Sequence, residues 1–202
     1  ERIDIKHKLY SQIDKVRSPN SIISSNTSTI PLSILTQEMS DTMKADFCIT
    51  HFFNPVRFMR LLEIVETPSV NKDKMSGLRD FCKNELGKGI VNCNDTPGFI
   101  GNRIGVYAMQ VAMYEALERG LPVEIADALF GRPLGIPKTG VFGLYDLIGI
   151  DLMKDVLASF KKELQENDPF MDVVAPHPLV ENLLEKGFNG NKGPGGFYQT
   201  TI

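Results

Sequence analysis

The residues best placed to do chemistry are His51 and Glu63. His51 lies near the end of an apolar run over residues 47–53 that is rich in aromatic and β-branched side chains, and Glu63 sits within a second run over residues 61–65. A carboxylate with apolar neighbours on both sides is costly unless it has a partner. A His-Glu pair across neighbouring strands would supply one. The carboxylate would hold the imidazole in one tautomer and stabilise the imidazolium, giving a general base able to work near neutral pH. The plainer alternative is a satisfied buried histidine beside an unrelated edge-strand glutamate. The other histidines offer less: His7 falls on the polar side of an expected helix and His177 in a proline-flanked loop, so both read as structural or solvated.

The frame that must position the pair reads as follows. The Asn54-Pro55 break between the two runs predicts strand, turn, strand. Upstream, Ile5, Leu9, Ile13 and Val16 put an apolar stripe on an amphipathic helix over residues 2–17. Residues 21–24 form a short β-type run that opens into Ser25-Asn26-Thr27-Ser28-Thr29. Those hydroxyls and amides either cap the segment that follows or are delivered to a cleft. Downstream, residues 69–86 read as a helix with Leu78, Phe81 and Cys82 inward and Gly87 as its stop, and residues 88–93 as a further strand. The alternation predicts an α/β sheet, mostly parallel, with the central pair free to run antiparallel.

After Cys93 no β-run of length appears. Thr96 as cap and Pro97 in the first turn predict a long helix reaching Gly120, with Ile100, Ile104, Ala108, Val111 and Leu117 as its apolar stripe. Gly101, Gly105 and Ala108 are small enough to admit close packing. Asn102, a poor helix former in the first turns, must be explained by a cap, a core hydrogen bond or a ligand. Residues 123–130 and 151–164 read as further helices. The fold class is therefore α/β followed by all-α, with domains at residues 1–95 and 96–202.

The totals narrow the function. A chain of 202 residues with 42% hydrophobic content can bury a sizeable core, and a net charge of -3 gives no footprint for nucleic acid or an anionic membrane surface. No apolar run is long enough for a membrane span. The three cysteines lack C-x-x-C spacing, which speaks against a zinc site and a disulfide framework and fits a reducing, cytoplasmic setting. There is no G-x-G-x-x-G between strand and helix, no P-loop, no nucleophile elbow and no metal cluster. The opening residues resemble neither a signal peptide nor a natural start, so the chain is expected to begin inside a longer protein.

Taken together, Ser25-Asn-Thr-Ser28, His51-Phe-Phe-Asn54-Pro55, Leu62-Glu63-Ile-Val, Asp95-Thr-Pro-Gly-Phe-Ile-Gly-Asn102-Arg103 and the final Gly-Gly-Phe-Tyr198 resemble the 3-hydroxyacyl-CoA dehydrogenase family. The run from Gly135 to Asp151 is similar to the long bacterial members in which a crotonase-like domain follows. The resemblance implies the C-terminal part of a Rossmann-like NAD-binding domain followed by a helical domain that dimerises. It implies oxidation of the 3-hydroxyl of an L-3-hydroxyacyl-CoA with NAD, in fatty acid β-oxidation. Carried over, it makes His51 the base, Glu63 its partner, Ser28 a ligand of the substrate's C3 oxygen, and Asn102 a group that positions the acyl chain. Asn26, Ser28 and Asn54 match positions near the nicotinamide ribose; Glu1, Lys6 and Lys192 match cofactor positions, Lys192 in a tail whose spacing departs from the family. The family's first β-α-β unit has no counterpart in these residues, which implies a piece inactive by itself. Two other readings remain: a non-enzymatic helical dimerisation or scaffold module, and a related β-hydroxyacid dehydrogenase, a group that typically uses a lysine base.

Overall fold

The computed structural model describes residues 2–136 and 138–199. They fall into two units, Glu1–Arg103 and Ile104–Ile202. The first contains α1 (Ile3–Val16), β1 (Ile23–Ser25), α2 (Leu32–Leu35), α3 (Asp41–Ala45), β2 (Phe47–Phe52), β3 (Leu61–Glu66), α4 (Lys72–Asp80) and β4 (Gly89–Asn92). Its strands form one sheet in the order β1-β2-β3-β4. The outer pairs are parallel and the central pair is antiparallel. A short turn joins β2 to β3, and a parallel crossover would need a far longer connection.

Strand residues alternate between the two faces of a sheet. Phe47, Ile49 and Val65 pack with Tyr10, Leu35, Met43 and Phe99. Cys48, Leu62 and Ile64 pack with Val70, Met75 and Cys82. Both faces are covered, which is why β2 and β3 read as continuous apolar runs instead of alternating ones. Register then decides the chemistry. His51 lies directly opposite Glu63, and both odd-numbered positions project to the face that carries Phe99. A slip of one residue would turn one member of the pair to the other face.

Four expectations are corrected. In α1 the inner positions are Ile3, Tyr10 and Ile13, whereas Ile5, Leu9 and Val16 of the expected stripe are 52%, 48% and 83% exposed, because apolar residues lie on two sides of the helix and packing selects the side of Tyr10. Along α4 and the turn that continues it, the inner positions are Met75, Leu78 and Cys82, spaced by three and four. Phe81 lies off that stripe, at the head of a π-helical turn over Phe81–Glu85, and is half exposed at 51%. The long helix α5 (Gly101–Glu118) begins at Gly101 and not at Thr96-Pro97. Gly98 and Phe99 have φ of 72° and 47°, outside the helical region, and the Thr96 carbonyl closes a turn by accepting from the Phe99 amide at 3.0 Å. The α5 stripe also lies elsewhere: Ile100 and Ile104 are 41% and 65% exposed, while Val106, Gln110, Ala112, Met113 and Ala116 are buried. The helix is apolar on more than one side, so periodicity left the inner face for packing to select.

The second unit holds the rest of α5 with α6 (Val123–Leu129), α7 (Phe142–Ile148), α8 (Ile150–Glu163) and α9 (Pro178–Glu185). It is helical, as expected. α6 and α8 match the sequence reading; α7 and α9 are additional. Both are short, α7 capped by a distant side chain and α9 by the residue just before it. Asp127 accepts from the Val141, Phe142 and Gly143 amides at 2.7, 2.8 and 2.9 Å, and His177 accepts from the Leu179 amide at 3.1 Å. Asp146 folds the glycine-rich tail back by accepting from the Phe197 and Tyr198 amides, each at 2.9 Å. Burial pushes the Asp146 carboxyl up from its ordinary range, against the pull of those two amides.

Candidate active site

β1 and β2 are parallel, with Ser25 beside Ile49, so residues 26–28 and His51 emerge at the same end of the sheet. This is the carboxyl end of the parallel strands, where open α/β sheets place ligands. Asn26 marks the junction: its Oδ1 accepts from the Phe52 amide at 2.9 Å. Its oxygen faces the strand, and its NH2 group is the donor end of the side chain. Thr27 Oγ1 accepts from the Thr29 and Ile30 amides, and Tyr10 donates to Ser25 Oγ at 3.0 Å. Thr27 therefore closes a local turn, and the expected capping of the following segment falls instead to Asp95, whose carboxylate accepts from the Leu32 and Ser33 amides at 2.6 and 2.9 Å.

His51 and Glu63 form the pair. Nδ1 of His51 is 2.7 Å from Glu63 Oε2, with the ring 6% and the glutamate 0% exposed. The other carboxylate oxygen, Oε1, accepts from the backbone amides of Ile100 at 2.9 Å and Gly101 at 2.6 Å, and Cys93 Sγ lies 3.6 Å away. Burial alone would disfavour the charge. The His51 ring and the Gly101 and Ile100 amides outweigh it and hold the Glu63 carboxyl below the usual carboxylate range. An ionised Glu63 can only accept, so Nδ1 carries the hydrogen and Nε2 of a neutral ring keeps its lone pair. Burial, and then the Glu63 charge, push the Cys93 thiol up to about 11, so it stays protonated.

The imidazole is walled by two aromatic rings. Phe53 meets it edge-on at 4.6 Å and Phe99 lies tilted at 5.6 Å. Phe53 also presses on the start of α5: a Cβ built on Gly101 would collide with its ring at Cζ. That close approach explains Gly101, whereas Gly105 has open space around a built Cβ.

The remaining expected residues are placed as follows. Ser28 is half-buried in the turn after β1, and Asn102 is half-buried in the first turn of α5, next to the Gly101 amide that caps onto Glu63. Asn54 is exposed and precedes a cis proline. Lys6 lies on α1. Lys192 is in the second unit, 3.3 Å from Asp151. Glu1 lies outside the described residues. Of the two other histidines, His7 is tied by Nε2 to the Ile34 carbonyl at 2.9 Å, and His177 caps α9. Sequence reasoning missed Cys93, Phe53, Phe99 and the Ile100 and Gly101 amides. The one available signal for the amides was the Pro-Gly-Phe break ahead of a helix, beside an acidic residue with no other partner.

Among the described residues, no group of three or more His, Cys, Asp or Glu side chains could hold a metal ion. No helix among them is long and apolar enough to cross a membrane. An amide, hydroxyls and a buried base at one sheet end suit the nicotinamide side of a dinucleotide. No glycine-rich turn between strand and helix is present in these residues for its pyrophosphate.

Comparison with known proteins agrees with this geometry. Residues 1–96 match the NAD binding domain of 3-hydroxyacyl-CoA dehydrogenase and residues 98–200 its C-terminal domain. The whole chain is 42% identical to a putative fatty acid oxidation complex trifunctional enzyme of Rickettsia felis, of which it spans 28%. It is 34% identical to a probable 3-hydroxyacyl-CoA dehydrogenase of Deinococcus radiodurans, of which it spans 57%. Among solved structures, all of the chain superimposes on 68% of (S)-3-hydroxybutyryl-CoA dehydrogenase PaaH1 from Ralstonia eutropha, with a TM-score of 0.81 and 31% identity. It likewise superimposes on 68% of M. tuberculosis FadB2, with a TM-score of 0.84 and 28% identity. With both halves matched in order and the buried His-Glu pair at the sheet end, the chain belongs to the 3-hydroxyacyl-CoA dehydrogenase family.

Proposed function

We propose that the protein containing this chain oxidises the 3-hydroxyl of an L-3-hydroxyacyl-CoA to a ketone, with NAD as cofactor. The observation that carries this is the buried 2.7 Å contact between His51 Nδ1 and Glu63 Oε2. Nε2 of His51 takes the hydroxyl proton as the carbonyl forms, and Glu63 stabilises the resulting imidazolium. A positioned base of this kind contributes about 10²–10⁴-fold in rate. When bound, NAD supplies the acceptor for the hydride that leaves C3. Ser28 hydrogen-bonds the substrate's C3 oxygen, and Asn102 orients the acyl group. Asn26, Asn54 and Lys6 would hold the cofactor, with Asn26 and Asn54 toward the nicotinamide ribose.

The name of the Rickettsia felis relative supports a place in fatty acid oxidation. We divide the chain at residues 1–95 and 96–202, and the second part pairs two copies. Exposed Ile104 at 65%, Leu129 at 55% and Leu147 at 57% support that pairing; light scattering that shows a monomer would end it. The free cysteines Cys48, Cys82 and Cys93 support a cytoplasmic location. On their own, the 202 residues do not turn over, because they hold no pyrophosphate turn.

The test is His51→Gln in the intact protein, followed by NADH consumption with acetoacetyl-CoA. The expected result is a loss of about 10²–10⁴-fold in kcat with little change in KM. Turnover at the wild-type rate would refute the assignment.

A further inference from the structure

We propose that Lys88 is a positioning residue for the His51 site, holding the turn at residues 53–60 so that Phe53 stays seated against the imidazole. This rests on the reading of His51 as the base. Lys88 is 8% exposed, an unusual place for an ammonium. No carboxylate among the described residues pairs with it. Instead Nζ donates to the Val56 carbonyl at 2.5 Å and the Met59 carbonyl at 2.8 Å, and it lies 5.7 Å from the centre of the Phe52 ring.

Both carbonyls belong to the turn between β2 and β3, which has little else to fix it. Its apolar side chains face outward, Val56 at 43%, Phe58 at 75% and Met59 at 39% exposed. Among the described residues, its backbone is held by the Phe58 and Met59 amides on the Pro55 carbonyl and, at its end, by the Gly89 amide on the Arg60 carbonyl. A methionine would fill the space of the lysine stem without burying a charge. The ammonium therefore makes sense as a geometric anchor, because it ties two carbonyls of the turn to one point on the sheet. The anchored turn follows directly on Phe52 and Phe53. Phe53 touches His51 edge-on at 4.6 Å and packs against Gly101, whose amide caps onto Glu63. Lys88 thus acts on the base through the turn, with no contact to the reacting atoms.

The experiment compares Lys88→Met, Lys88→Gln and Lys88→Arg in the intact protein, with kcat, KM for NAD and amide hydrogen exchange at Phe58 and Met59 as readouts. Lys88→Met is expected to lower kcat by roughly tenfold to a hundredfold, leave KM for NAD within about twofold, and raise exchange at both amides. Lys88→Arg, which keeps a charged donor, restores most of kcat. If Lys88→Met does not fold, Lys88→Gln, which keeps an NH2 donor on a shorter stem, is expected to show the same split at smaller size. Wild-type kcat in Lys88→Met, or in Lys88→Gln where that variant stands in, overturns the inference whether or not exchange rises. A kcat loss without raised exchange overturns it as well. The control is His51→Gln: if it keeps its activity, the base assignment fails, whereas loss there with unchanged kcat in the lysine variants sinks only the role of Lys88.

Discussion

Glu63→Gln gives the sharpest test of the site, because the new side chain has the same shape and one forced orientation. Glu63 Oε1 accepts from two backbone amides, Ile100 at 2.9 Å and Gly101 at 2.6 Å, which can only donate. A glutamine must therefore turn its oxygen to them. Presenting its NH2 instead would leave two buried donors unsatisfied, at about 1–3 kcal/mol each. With the oxygen so committed, the NH2 faces His51 Nδ1, which is 2.7 Å from the other oxygen in the native pair. Nδ1 must then accept, and a neutral ring moves its hydrogen to Nε2, the nitrogen that should take the substrate proton. Isosteric replacement thus removes the base without removing the histidine. The expected loss in kcat is that of the base itself, about 10²–10⁴-fold, or ~2.7–5.4 kcal/mol at 1.36 kcal/mol per decade. Stability should change little, because both amide caps survive. The assay is NADH consumption with acetoacetyl-CoA by the intact protein, with ¹⁵N NMR of the histidine ring to locate its hydrogen. A variant within tenfold of wild type, or a ring still protonated at Nδ1, would refute the reasoning.

Three further outcomes are expected. Gly101→Ala gains up to about 1 kcal/mol of helix propensity but forces the Phe53 ring aside, an overpacking cost of about 1–3 kcal/mol; kcat should fall more than the melting temperature does, and unchanged kcat would show that Phe53 is not needed at the imidazole. Asp46, buried between Arg17 Nη1 at 2.8 Å and Lys74 Nζ at 2.7 Å, has its carboxyl held below the usual range, because those two partners outweigh its desolvation. Its folded value lies below its unfolded one, so it stabilises the first unit above the unfolded carboxyl pKa of about 3.9 and loses that contribution as pH falls through the folded value; urea titrations across that range should show a smaller acid loss in Asp46→Asn than in wild type. Calorimetry should detect no NAD binding to the 202 residues alone, and binding when the preceding segment of the intact protein is supplied in the same chain; micromolar affinity without it would show that the residues present suffice.

The sequence by itself determined the strands that carry the pair and the helical character of the second half. Continuous apolar runs bounded by Asn54-Pro55 are strong local signals, and a Glu at position 63 with apolar neighbours on both sides advertised its need for a partner. The bounds of α1, α6 and α8 were legible too, although packing turned Tyr10 inward in α1 and left Ile5, Leu9 and Val16 exposed. Tertiary structure alone decided the rest. The register that sets His51 opposite Glu63 depends on pairing across a turn, and no local propensity encodes it. The start of α5 was misread because Thr96-Pro97 is a good local cap, yet a left-handed turn at Gly98 and Phe99 delays the helix until its amides reach Glu63. The inner face of α5 was misread because apolar residues lie on more than one side of it, and packing made the selection. The anchoring of the 53–60 turn by Lys88 was invisible for a similar reason: a lysine in sequence reads as surface, and only the folded chain brings two carbonyls to its ammonium.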